Sequence, residues 1–184
     1  MNYREYRRQR LDELRTTPRM ADGGTYRNFV DGLIDLLEQV PLLRRVLEIG
    51  CAHGVSTETL LLYAREVWAV DPWEPPYDFY HDFLRRCGDY PHLIVIRGRS
   101  PDALPAGMRT FDLVYIDGDH EYAAVVADIA AALYLLHDGG VLAGHDWSAH
   151  GVQVAVLEFW RRLGRDGLPK VFADGSWMIQ LRGD

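Results

Sequence analysis

Five short runs rich in β-branched residues, alternating with stretches of helical spacing, constrain this chain more than any other feature. The runs are Val46-Leu47-Glu48-Ile49, Val67-Trp68-Ala69-Val70, Leu93-Ile94-Val95-Ile96, Leu113-Val114-Tyr115-Ile116 and Val141-Leu142-Ala143. Helical segments fall near 55–64, 76–87, 121–136 and 151–164. Strands that are apolar on both faces and joined by helices require a parallel sheet covered on both sides, with right-handed crossovers. The expected class is therefore α/β, doubly wound. A helix is also expected from Asn28, where Phe29, Leu33, Leu36, Leu37 and Val40 recur at helical spacing until Pro41. At the other end Asp174-Gly175 separates Val171-Phe172-Ala173 from a run over 176–181, so the chain closes with an antiparallel hairpin.

With 184 residues, 48% of them hydrophobic, the chain has the core of one domain, placed at 25–184. Residues 1–24 are polar and Arg-rich and end in Asp22-Gly23-Gly24, which reads as a helical arm and a flexible joint, positioned to act as a lid. A formal charge of -7 argues against a broad basic face for nucleic acid. The opening MNYREYRRQR is charged where a signal peptide needs an apolar core, and no apolar run reaches the roughly 18 residues of a membrane span. A cytoplasmic protein is expected, with homo-oligomer formation open. Cys51 and Cys87 have no metal-type spacing and are expected as reduced thiols.

In doubly wound sheets ligands bind at the carboxyl ends of the strands, where the strand order reverses. Here the turn after the first strand carries Gly50 and Gly54, which allow tight turning and close approach of a ligand, with Ser56 or Thr57 expected to cap the next helix. Asp71 ends the second strand about twenty residues on, where a carboxylate can take both hydroxyls of a ribose. Ala52 and Val55 stand where a dinucleotide fingerprint needs glycines, which disfavours an NAD(P)-dependent oxidoreductase. A cofactor-binding accessory protein without catalysis is the other alternative.

The string Glu48-x-Gly50-x-x-x-Gly54 resembles motif I of the class I S-adenosylmethionine-dependent methyltransferases, and the terminal hairpin fits that fold. The resemblance implies a seven-stranded, Rossmann-like sheet in the order 3-2-1-4-5-7-6. It implies that S-adenosylmethionine lies with its methionine part along Gly50, Cys51, His53 and Gly54, beside Glu48 and Ser56, and with its ribose on Asp71. Adenine contacts would fall near Arg99 and Ser100 and near Trp73, with Asp117 also on the cofactor. An aromatic after a proline is as well explained as a packing anchor, so Trp73 has two readings.

The fourth strand runs into Asp117-Gly118-Asp119-His120 and the fifth into Gly144-His145-Asp146. Neighbouring strand ends lie about 5 Å apart, so Asp117 and Asp146 face one crevice that a single cation can bridge. His145 and Asp146 both reach it only if the strand ends at Gly144. His53, His120, His145 and His150 all fall in loops at this edge, while Asp119 is balanced between a helix cap and a ligand role.

The strings IDGDHEY and GGVLAGHDW resemble a narrower group, the small-molecule O-methyltransferases related to macrocin O-methyltransferase and the cephalosporin-hydroxylase-type proteins, over roughly residues 44–160. That resemblance implies a divalent metal, usually magnesium, held by Asp117 and a pair of acids after the fifth strand. His145 stands in place of the first of the pair, so the expected ligands are Asp117, His145 and Asp146, and a histidine favours a transition ion. His120 is the expected base for an acceptor hydroxyl of a sugar or natural product, with His145 second.

Overall fold

The computed structural model describes residues 2–16, 30–104, 106 and 110–181. Its elements run α1 (Tyr3–Thr16), α2 (Asp31–Leu37), β1 (Arg45–Ile49), α3 (Val55–Leu61), β2 (Glu66–Asp71), α4 (Tyr80–Cys87), β3 (Leu93–Arg97), β4 (Phe111–Ile116), α5 (Tyr122–Leu135), β5 (Leu136–Gly144), α6 (His150–Arg162), β6 (Lys170–Val171) and β7 (Trp177–Gln180). The strands form one sheet in the order β3-β2-β1-β4-β5-β7-β6. The first five are parallel, and β7 runs antiparallel to both of its neighbours. This is the expected Rossmann-like order, with the hairpin closing one edge.

Alternate residues of a strand point to opposite faces, which explains why the runs are apolar throughout. Val46, Leu113 and Tyr115 pack with Leu33 of α2, Leu61 of α3 and Phe83 of α4 on one face. Leu47, Ile49, Val114 and Ile116 pack on the other with Val125 and Ile129 of α5 and Val152 and Val156 of α6. Each such aliphatic side chain contributes about 1.5–3 kcal/mol relative to exposure.

Several boundaries differ from expectation for local reasons. The helix expected from Asn28 is α2, beginning at Asp31; Asn28, Phe29 and the joint Asp22-Gly23-Gly24 lie outside the described residues. α4 begins at Tyr80 rather than near 76, because the chain first turns, with the Tyr77 N–H donating to the Glu74 carbonyl at 2.8 Å and the Phe79 N–H to the Tyr77 carbonyl at 3.0 Å. β5 follows α5 without a loop and is longer than the apolar run. Phe172 turns out of β6, its N–H donating to the Ser176 carbonyl at 2.8 Å.

The N-terminal arm is helical and docked. Leu14 is buried with Val30, Ile34 and Leu62, and the Arg7 guanidinium sits 4.1 Å from the centre of the Tyr63 ring. Among the described residues no helix is long and apolar enough to cross a membrane.

Candidate active site

The turn after β1 is built on left-handed backbone, with φ of +85° at Gly50 and +79° at Gly54. A side chain on Gly50 would place its Cβ 2.2 Å from the Asp117 carbonyl oxygen, so only glycine lets this turn lie against the loop after β4. Gly54 itself stands at the N-cap of α3, where no side chain caps the helix. The expected cap by Ser56 or Thr57 is thus corrected: both lie inside the first turn. There the Thr57 hydroxyl donates instead to the carboxyl group of Glu48. Glu48 is fully buried, and among the described residues its Oε1 has no hydrogen-bond partner. Burial pushes its carboxyl up to about 8 against the pull of the Ser56 and Thr57 hydroxyls, and the nearby Asp117 charge adds to the rise.

Asp71 is at the end of β2 as expected, and it shapes the turn. Its Oδ2 accepts the N–H groups of Cys51 at 2.8 Å and Ala52 at 3.1 Å, and its Oδ1 accepts that of Trp73 at 2.7 Å. A carboxylate offers about four lone-pair directions, so about one is left for a ligand. Trp73 is fully buried against Tyr80 and Phe83, with Nε1 donating to the Ala52 carbonyl at 2.9 Å. It is a packing anchor beneath the turn, the second of its two readings. Arg99 pairs with Glu74 at 2.6 Å, and the Ser100 hydroxyl donates to the buried Asp128 of α5.

β4 ends at Ile116 and β5 at Gly144, which frees His145 and Asp146 from strand alternation. Asp146 takes a left-handed φ of 55°, and Ala52 and Trp73 share that rare conformation, so among the described residues the three non-glycine positions with positive φ all lie just after β1, β2 and β5. His145 is 4% exposed; its Nε2–H donates to the Asp174 carbonyl at 2.9 Å. Its Nδ1 lies 3.2 Å from Asp146 Oδ2 and 3.7 Å from Asp117 Oδ1. Burial opposes its charge, but the Asp146 bond and the Asp117 and Asp174 charges outweigh this and push the imidazole up to about 9. His120 is about half exposed, with Nε2 at 2.9 Å from the same Asp146 oxygen. That bond raises its pKa. Burial works against the Asp146 charge, yet the two histidines hold its carboxyl well below the usual range.

The ligand atoms of Asp117, His120 and Asp146 all lie within 4.8 Å of one another. His120 therefore joins the two acids in the cluster that could hold a metal ion, and His145 stands behind them. Asp119 neither caps α5 nor joins the cluster: Glu121 is the N-cap, and Asp119 Oδ1 accepts the Glu121 N–H at 2.9 Å. His150 opens α6. His53 stacks on Phe79 with ring centres 3.8 Å apart and meets Asp82 at 3.3 Å.

These elements enclose a cleft of about 930 Å³ over the ends of β1, β4 and β5. Gly50, Cys51, Ala52, His53 and Ser56 line it, Asp117, His120 and Asp146 face it from β4 and β5, and Arg10, Arg85 and Arg86 face it from α1 and α4. Of the residues expected on the cofactor, Glu48, Gly54, Asp71, Trp73, Arg99 and Ser100 do not line this cavity. Sequence reasoning missed Arg10, Arg86 and Asp174, since charged residues on amphipathic helices and in a hairpin turn read as solvated surface.

A doubly wound sheet in this order, with a left-handed glycine turn after β1 and acids after β2, β4 and β5, defines the class I methyltransferase architecture. The methyltransferase-domain family matches residues 47–147, and the chain belongs to that family. It is a methyltransferase dependent on S-adenosylmethionine. Among solved structures, cofactor-bound Rv0187 from MTB is 25% identical, with a TM-score of 0.63 over 99% of this chain and 90% of that one. The O-methyltransferase from Bacillus cereus, in complex with SAH, is 21% identical, with a TM-score of 0.61 over 96% of this chain and 87% of that one. TomG from Streptomyces achromogenes, an O-methyltransferase involved in tomaymycin synthesis, in complex with SAM, is 16% identical, with a TM-score of 0.61 over the full length of both. The latter two likenesses are of fold. No curated protein matches the chain in sequence.

The residues present fit the cofactor. The cleft presents the turn residues Gly50, Cys51, Ala52, His53 and Ser56 on one side and the carboxyl groups of Asp117 and Asp146 on the other, a lining that suits a ligand carrying ammonium and sulfonium cations.

Proposed function

We propose that this methyltransferase acts on a hydroxyl oxygen of a small molecule, a sugar or natural product, in the cytoplasm and without nucleic-acid or membrane partners. The observation that carries the reading is the pair His120–Asp146, facing the cleft beside the glycine turn. S-Adenosylmethionine, when bound, would supply the methyl group of its sulfonium, the acceptor oxygen entering in line with the departing thioether sulfur. The backbone of Gly50 to Gly54 and Ser56 bind the methionine part, Asp71 takes one ribose hydroxyl, and Arg99 and Ser100 border the adenine. Asp117, on the cleft wall, favours the positively charged sulfonium. His120, oriented by Asp146, takes the proton of the acceptor hydroxyl at Nδ1, since its Nε2–H is committed to the carboxylate. His145 is buried and held between Asp174 and the two acids, so it serves as a fixed positive partner rather than a base.

The closeness of Asp117, His120 and Asp146 favours a second, metal-assisted reading. Two carboxylates and one imidazole suit manganese, iron or zinc better than magnesium. A cation there would lower the pKa of the acceptor hydroxyl. His120 would then be a ligand, with His145 supporting the acids from behind.

Incubation with methyl-labelled S-adenosylmethionine and a panel of hydroxylated sugars and natural products, with RNA in parallel, tests the proposal. Methyl ethers of small molecules are expected. Label in RNA or on nitrogen alone would overturn it, and cofactor binding with no transfer to any acceptor would favour an accessory role.

A further inference from the structure

We infer that Arg10 and Arg86 form a carboxylate-binding subsite in the cleft, and that it takes the carboxylate of the cofactor's methionine moiety. The inference rests on reading the turn from Gly50 to Gly54 as the methionine site.

The subsite is organised around Glu58 of α3, which is 2% exposed. Arg10 of α1 donates to it through Nε at 2.5 Å and Nη2 at 3.0 Å, and Arg86 of α4 through Nη1 at 2.9 Å. Two guanidinium groups converge on one buried carboxylate, which leaves a positive charge over at the cleft wall. Glu13 meets Arg10 at 2.5 Å but is 45% exposed, where solvent screens its charge. Arg86 is further fixed by its Nε–H, which donates to the His53 carbonyl at 3.1 Å. These two bonds use its Nε and Nη1, and both arginines line the cavity. These forks are held in place before any ligand arrives, so little side-chain freedom is lost on binding an anion.

The polarity of the cleft sets the orientation. Asp117 and Asp146 lie toward β4 and β5, and Arg10 and Arg86 toward α1 and α4, where Asp82 also lines the cleft and is paired with Arg85. A ligand with a sulfonium at its centre and a carboxylate at one end is drawn with the cation toward the acids and the anion toward the arginines. An acidic group on the acceptor is the other source of a carboxylate. The Arg86–His53 bond favours the cofactor, because it places the guanidinium on the turn itself.

Calorimetry on the full chain with S-adenosylhomocysteine and with 5′-methylthioadenosine, which shares the adenosine and thioether but lacks the amino acid, tests this. Arg86→Gln is expected to lower affinity for S-adenosylhomocysteine about tenfold to a hundredfold and to leave that for 5′-methylthioadenosine unchanged. Arg10→Gln should do the same, with Arg10→Lys retaining part of the affinity and a melting curve reporting whether α1 stays docked. Unchanged S-adenosylhomocysteine affinity in both glutamine variants overturns the inference. Equal losses for both ligands overturn it as well. If the wild-type protein binds neither ligand, the cofactor reading of the turn fails, and the subsite fails with it.

Discussion

The Nε2–H of His120 donates to Asp146 Oδ2 across 2.9 Å, joining the loop after β4 to the end of β5. In the neutral ring this leaves Nδ1 as the nitrogen able to accept a proton, in a side chain that is half exposed to the cleft. His120→Ala should lower turnover about 10²–10⁴-fold while leaving S-adenosylhomocysteine affinity intact. Methyl-transfer rates and calorimetry on the same variant check this, and a matching loss of affinity would assign His120 to binding instead.

Asp146 raises the His120 pKa, so the base is neutral only above a pH higher than a free imidazole requires. Turnover should rise with pH through that raised value. In Asp146→Asn the charge is lost and only a neutral amide oxygen is left to accept, and the rise should move to lower pH. A pH–rate profile of both proteins measures the displacement, and superimposable profiles would separate Asp146 from the base.

Metal removal separates the two readings of the acid cluster. If Asp117, His120 and Asp146 share a cation, excess chelator should abolish turnover, and manganese or zinc should restore it better than magnesium. Cofactor binding should persist, since the turn after β1 supplies it. Full activity in chelator, with metal-free protein verified by elemental analysis, leaves His120 as a base acting without metal.

The carboxyl of Glu48 is raised from about 4.5 to about 8 in the fold, chiefly by burial. The native protein therefore holds a proton that the unfolded chain releases. Stability from this source is complete below about pH 4.5 and falls as pH rises toward about 8. Glu48→Gln should remove that slope and be relatively more stable at pH 8 than at pH 5, as read from denaturant midpoints. An identical pH dependence in both proteins would show that Glu48 is ionised in the fold.

Asp71 accepts three backbone N–H groups of the turn and of Trp73, so Asp71→Ala should weaken the fold as well as the cofactor site. Each bond not replaced by water costs roughly 1.5–3 kcal/mol. Melting and S-adenosylhomocysteine titration should fall together. Lost affinity at unchanged stability would make Asp71 a ribose ligand alone.

The sequence by itself determined the sheet. Residues such as Val46 and Leu47, adjacent and both apolar, need cover on opposite faces, and only a parallel sheet between helix layers provides it. It also placed Gly50, Gly54, Asp71, Asp117 and Asp146 at one edge, because the carboxyl ends of parallel strands share it. Helix ends were less legible: Ser56 and Thr57 have good capping chemistry, yet the buried Glu48 takes the Thr57 hydroxyl and Gly54 holds the N-cap.

Tertiary structure alone decided which side chains meet. His120 and His145 are equal candidates in sequence, but the hairpin carbonyl of Asp174 draws His145 behind the acids and leaves His120 in the cleft. Trp73 could face ligand or core, and the packing of Tyr80 and Phe83 closes it into the core. Arg10 looks like one charge among many on a polar helix until α1 docks and brings it to Glu58. Periodicity and turn chemistry act over a few residues, whereas these pairings join elements far apart in the chain. They are fixed by burial and hydrogen-bond satisfaction, which no local pattern encodes.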